Sequence, residues 1–177
     1  MSSEQKKKTE TVSFRLDSHI LDKLRKESES QGISLNVLAN KIFNRYVDWD
    51  MFEPKVGMVP IARPIVSALF EKLTEKETVE MANKIGQSIV SDIATFMKGT
   101  LDMDSFVSWF VTRMKMSDFE MNHTVKEGKH TYIIKHDLGY NWSLYHKTVL
   151  ELIFNDVLEK KIDSEIKDRM MEISFEK

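Results

Sequence analysis

Polar and apolar residues alternate along Thr11-Val12-Ser13-Phe14-Arg15-Leu16. This period of two predicts a strand over about 10–16 with one wet face and one buried face. Two short helical patterns follow. Asp17 or Ser18 caps the first, whose apolar positions are Ile20, Leu21 and Leu24. It decays into Glu27-Ser28-Glu29-Ser30 and stops at Gly32. Ser34 caps the second, where Leu35, Leu38, Ala39, Ile42, Phe43 and Tyr46 recur at helical spacing before the pattern fades near Trp49 to Pro54. A single strand ahead of two helices has no sheet to join in its own chain. The nearest partner is its copy in a second chain.

Pro54, Gly57, Pro60 and Pro64 fall close together, which predicts a junction: a head over 1–50, a linker over 51–64 and a body over 65–177. In the body a helix is expected from Ile61 or Pro64 to Leu73. Thr74-Glu75-Lys76-Glu77 is a capping-box pattern opening a second helix that ends at Gly99. Asp102 or Asp104 opens a third with Phe106, Val107, Trp109, Phe110 and Met114. The period then changes. Phe119, Met121, His123 and Val125 alternate with polar residues, Glu127-Gly128 makes a tight turn, and His130, Tyr132, Ile134 and His136 alternate on the way back. Gly139 ends this hairpin. Asn141 or Ser143 is expected to cap a helix through about Lys160, and a final strand presents Met171, Ile173 and Phe175 on one face. The chain thus reads as α+β and mainly helical: β-α-α at the N-terminus, then three helices followed by β-β-α-β. The helix over 144–158 is apolar nearly all round, so it is covered on more than one side, either by its own domain or by a partner subunit.

Composition narrows the class. At 41% hydrophobic and 31% charged residues, the 177-residue chain is that of a globular protein rather than a disordered one. The lysine-rich start, with no apolar run behind its charges, reads as a flexible arm over 1–9 and not as a secretory signal. No apolar run is long enough to span a membrane. The absence of cysteine excludes disulfides, thiolate zinc sites and cysteine nucleophiles, and fits a cytoplasmic protein. Charge is unevenly divided. Residues 1–46 hold nine Lys/Arg against six Asp/Glu, a balance of +3, while the rest of the chain carries −5. A basic head on an acidic body suggests that the head alone meets a polyanion.

The order of strand, cap, helix, Gly32-Ile33-Ser34 hinge and helix resembles the ribbon-helix-helix family of DNA-binding regulators over residues 10–47. The matching positions are Val12, Phe14 and Leu16 in the strand, the helix opening after Asp17, and Leu38 and Ile42 in the second helix. The resemblance implies an intertwined homodimer, or a dimer-based oligomer, whose paired strands enter the major groove of double-stranded DNA. It places Thr11, Ser13 and Arg15 at base edges, with Ser34, Leu35 and Asn36 at a phosphate. Lys6, Lys7 and Lys8 would neutralise further phosphates. Elementary chemistry agrees: arginine reads guanine bidentately, hydroxyls donate or accept, and a helix N-terminus is an anion site. The chain departs from the family at Glu27 and Ser28, where an apolar pair is usual, which leaves the head a thin core.

The expected activity is therefore transcriptional regulation, as of a repressor, with an oligomerising or effector-sensing body. Alternatives are an antitoxin-type interaction protein and a metal-responsive regulator. For the latter, His123, His130 and His136 fall on one face of the hairpin, a possible nickel, zinc or copper set. The same face carries Met121, Val125 and Ile134, so core packing competes, and neither a metal nor another cofactor is assigned. The polar and aromatic run His136 to Ser143 suits an anion or small ligand at a helix start. It also suits a structural turn with Gly139 as the bend, Asn141 or Ser143 as the cap and Trp142 as a core plug, which is the preferred expectation. No phosphate loop, Gly-x-Ser-x-Gly elbow or His-Glu-x-x-His motif occurs, and Asp102 and Asp104 read as helix starters. No catalytic residue is assigned.

Overall fold

The structure is a computed structural model and describes residues 9–176. The arm lysines Lys6, Lys7 and Lys8 lie outside these residues. The chain divides into two compact units, Met1–Val47 and Asp48–Lys177. The fold is α+β and mainly helical, with one four-stranded antiparallel sheet among the described residues.

The head contains α1 (Ser18–Ser30) and α2 (Leu35–Arg45). The turn between them closes by amide donation from Gln31, Gly32 and Ile33 to the carbonyls of Glu27, Glu29 and Ser28. Gly32 adopts φ +63°, a left-handed conformation that a side chain would resist. Ser34 caps α2 as its sequence predicts, its hydroxyl accepting the Val37 amide at 3.2 Å. Asp17 precedes α1, but only its carbonyl is used, accepting from Ile20 and Leu21.

The body opens earlier than its prolines suggest. Trp49 is buried, and Phe52 and Met58, from the stretch read as a linker, pack against its core. Next come α3 (Arg63–Glu71), α4 (Glu75–Met81), a π-helical turn over Ala82–Gly86, α5 (Gln87–Lys98) and α6 (Met103–Met116). The predicted capping box is complete: Thr74 Oγ1 accepts the Glu77 amide at 3.2 Å and Glu77 Oε2 accepts the Thr74 amide at 2.8 Å. The Thr74 amide first, and its hydroxyl second, donate to the Glu77 carboxylate and hold it below its ordinary pKa. Gly99 ends α5 at φ +82°, and Asp102 caps α6 through the Ser105 amide at 2.9 Å.

The sheet has the order β1-β2-β4-β3, from β1 (Glu120–Lys126), β2 (Lys129–Lys135), β3 (Asp163–Lys167) and β4 (Met170–Glu176). The β1–β2 turn is Glu127-Gly128, both with positive φ, as a two-residue hairpin requires. β3 is an element beyond the sequence expectation. It is an edge strand whose odd-numbered residues Asp163, Glu165 and Lys167 are all exposed, with only Ile166 apolar on the other face. Its hydrophobic signal is correspondingly weak.

Between β2 and β3 runs α7 (Tyr140–Leu152), continued by a π-helical turn to Val157. Gly139, not Asn141 or Ser143, is its N-cap. Asn141 instead donates to the carbonyls of Phe70 and Leu73 at the end of α3, at 3.1 and 2.6 Å. The all-round apolar character of α7 is explained within the body. It packs against β3 and β4 on one side and against α3, α4 and α5 on the other, burying Val149, Leu150, Ile153 and Phe154. No partner subunit is required to cover it. With Phe106, Trp109, Met114, Ile134, Met171 and Ile173, these side chains form one continuous core.

One contact in this packing sets a sharp test. A Cβ built on Gly86 would fall inside van der Waals contact with Val149 Cγ2 and 3.1 Å from the Tyr145 hydroxyl. Gly86 lies in the π-helical turn, so the absence of a side chain lets that helix approach α7. Gly86→Ala should therefore destabilise the protein by about 1–3 kcal/mol, despite alanine's better helix propensity. Chemical denaturation reads this directly, and an unchanged or raised midpoint would contradict the close approach.

Candidate nucleic-acid interface

Residues 9–17 form neither helix nor paired strand within one chain. Thr11, Ser13 and Arg15 are all exposed, as sequence reasoning placed them. So are the three residues expected to be buried: Val12 is 67% exposed, Phe14 64% and Leu16 48%. Phe14 alone shows a ring contact, with its centroid 5.4 Å from that of Phe43 on α2. That contact orients the segment. Pairing as a strand would alternate the side chains, with Val12 and Leu16 on the side of Phe14 and Thr11, Ser13 and Arg15 on the other. Arg15 makes no ion pair among the described residues.

The helices supply the rest. Ser34 and Asn36 are exposed at the start of α2 and Leu35 is half-buried. The Ser34 hydroxyl takes one of the first-turn amides, while those of Leu35 and Asn36 have no partner within the helix. They are available to an anion, together with the positive end of the helix dipole. Charge contributes little within the described head. Residues 9–47 hold six Lys/Arg and five Asp/Glu, so most of the excess resides in Lys6, Lys7 and Lys8.

The head lacks a core of its own. Leu38 is its one buried apolar side chain among the described residues, while Ile20, Val37, Ile42, Phe43, Tyr46 and Val47 are exposed. Ser28 is buried, and its hydroxyl donates to the Arg25 carbonyl at 2.8 Å. A unit this small with one buried apolar side chain gains too little from burial to offset its chain entropy.

The body histidines divide into two sets, and the three-histidine arrangement does not form. His123 Nε2 lies 3.0 Å from His130 Nδ1, and the His123 ring stacks on Tyr132 with centroids 4.0 Å apart. Partial desolvation and then the neighbouring His130 lower the His123 pKa. His136 lies six residues beyond His130 and four beyond Tyr132, the register partner of His123, roughly 20 and roughly 13 Å along the strand direction. It is buried against Phe119 and Trp142. No group of three or more His, Asp or Glu suited to a metal occurs among the described residues.

His136 belongs to a closed relay that the sequence did not reveal. Its Nδ1 accepts the Leu138 amide at 3.2 Å, so its proton sits on Nε2 and is donated to Ser143 Oγ at 2.7 Å. Ser143 in turn donates to the Lys167 carbonyl at 3.1 Å. A general base needs a bare nitrogen toward the hydroxyl, so this pair ties the hairpin to α7 and does not activate the serine. Trp142 is the buried plug expected at this turn.

Compared with protein-family models and with curated proteins, the chain has no match. No helix among the described residues is long and apolar enough to cross a membrane.

Proposed function

We propose that the chain is a sequence-specific DNA-binding transcriptional regulator acting as a dimer or dimer-based oligomer. Two copies of residues 11–16 pair as an antiparallel ribbon in the major groove, with Thr11, Ser13 and Arg15 toward the bases. The observation that carries this is the exposure of Val12, Phe14 and Leu16 beside an equally uncovered Ile42 and Phe43. Exposed apolar side chains at strand period beside a helix with the same need are satisfied by a second copy, which also pairs the unpaired backbone. Once paired, the ribbon's other face is polar and carries the arginine. The N-terminus of α2 then meets a phosphate and fixes the register.

The folded body weighs against the antitoxin alternative, in which a tail orders only on its partner. The metal-responsive alternative is left with two adjacent histidines, His123 and His130.

The test is selection of bound duplexes from random sequence by the full-length chain, with its oligomeric state measured in parallel. The expected result is a dimer or a multiple of it, and an enriched site with two half-sites in twofold relation. A folded dimer that enriches no sequence would refute the DNA-binding role. A folded monomer would refute the ribbon.

A further inference from the structure

The body contains an open cleft of about 480 Å³, distant in sequence from every residue assigned to DNA. Trp142, Phe119, Leu138 and Val66 line it, and Val59 and Ile61, 70% and 50% exposed, are the solvent-facing apolar part of its lining. Two arginines border the same space, Arg63 and Arg113, and their surroundings differ. Arg63 is fully engaged. It donates to the carbonyls of Ser117 and Asp118, and the carboxylates of Asp118 and Asp137 lie 3.7 and 3.8 Å away.

Arg113 lies one helical turn after Trp109 on α6, its guanidinium 5.8 Å from that ring. Among the described residues its guanidinium makes no hydrogen bond and no ion pair. Burial pushes its pKa down, and the one ionisable group that favours its charge is the Tyr145 phenol. A partly desolvated guanidinium without a counter-charge is costly, and a ligand carboxylate would supply two parallel charge-assisted hydrogen bonds.

We propose that this cleft binds a small amphipathic monocarboxylate, with its carboxylate on Arg113 and its apolar body against Trp142, Phe119 and Val66. The charge inventory selects the monoanion. One cation is uncompensated, while Asp118 and Asp137 beside Arg63 repel a phosphate dianion. The volume lies within the range of small-molecule sites. This binding does not depend on the DNA-binding role, and its test uses no DNA.

The full-length protein is titrated with a series of straight-chain, branched and arylalkyl monocarboxylates, including 4-phenylbutyrate, by calorimetry and by tryptophan fluorescence. At least one acid should bind saturably, once per chain, below about 1 mM. Its neutral amide should bind at least about tenfold more weakly, since the charge-assisted bonds are lost. Arg113→Met keeps the apolar stem and should weaken the acid by a similar factor. Val59→Asp alters an exposed side chain and leaves the core intact. It should weaken the acid but leave the amide within about twofold, because it adds a repelling charge at the cleft. It decides the matter even if Arg113→Met proves unstable. The proposal is overturned if no acid binds at about 10 mM. It is equally overturned if acid and amide bind alike, if Val59→Asp leaves the acid's affinity unchanged, or if phenyl phosphate outcompetes every monocarboxylate.

Discussion

Arg15→Ala should weaken binding to the selected operator by about 2–6 kcal/mol per dimer while hardly changing affinity for random duplex. A lost bidentate base contact costs about 1–3 kcal/mol, and a twofold dimer loses it twice. The structure leaves Arg15 exposed and without an ion-pair partner among the described residues, so the substitution removes no intramolecular contact of that kind. The comparison that isolates base reading is replacement of Lys6, Lys7 and Lys8. These lysines hold most of the head's charge excess and should act on phosphate alone. Removing them should weaken operator and random DNA alike, and flatten the salt dependence by about one unit of slope per lost phosphate contact. Affinities for both duplexes at several salt concentrations separate the roles. Equal losses on the two duplexes for Arg15→Ala would mean that the ribbon does not read sequence.

Mild acid should destabilise the body through its buried histidines. His146 is stacked on Trp142, with ring centroids 3.8 Å apart, and donates from Nδ1 to the Trp142 carbonyl at 3.0 Å. Burial first, and the nearby Arg113 second, lower its pKa to about 3. Burial likewise lowers that of His136, whose Nδ1 would have to release the Leu138 amide to take a proton. Both histidines are therefore neutral in the fold at a pH where the unfolded chain already protonates them. Their stabilising contribution is complete above about pH 6.5 and declines as pH falls toward the folded-state values. Each site contributes a slope of up to about 1.4 kcal/mol per pH unit. Between pH 7.5 and 5.0, above the range in which most carboxylates titrate, His146 alone should remove about 2 kcal/mol. Urea midpoints across this range measure the effect. His146→Phe keeps a ring on Trp142 and cannot protonate, so its profile should be shallower. A wild-type stability flat over that interval would contradict a neutral, buried His146.

Much of the local structure was legible because it is decided within four or five residues. Ser34 at the start of α2, the Thr74–Glu77 box, Gly99, Asp102 and the Glu127-Gly128 turn each satisfy backbone groups next to them in the chain, so a short window contains both partners. The same window misplaced Asn141 and Ser143. Both have the chemistry of a cap, but their partners are the carbonyls of Phe70 and Leu73 and the ring of His136, supplied by other elements. β3 carries little signal in the sequence because, as an edge strand, it needs only one apolar side chain, Ile166.

The sequence by itself determined the alternation over 11–16, the polar positions that include Arg15, and the start of α2 at its Ser34 cap. These depend on period, charge and capping chemistry, all local quantities. Tertiary structure decided what no period encodes. It enclosed α7 between sheet and helices, so that its all-round apolar surface is a core and not a dimer seam. It separated His136 from His123 and His130, because four to six residues of extended strand lie between them. It also brought Arg113 to a cleft beside Trp142 without a carboxylate to meet it. Such juxtapositions arise from packing between elements far apart in the chain, where side-chain volume and the unpaired charges left over determine what a site can bind.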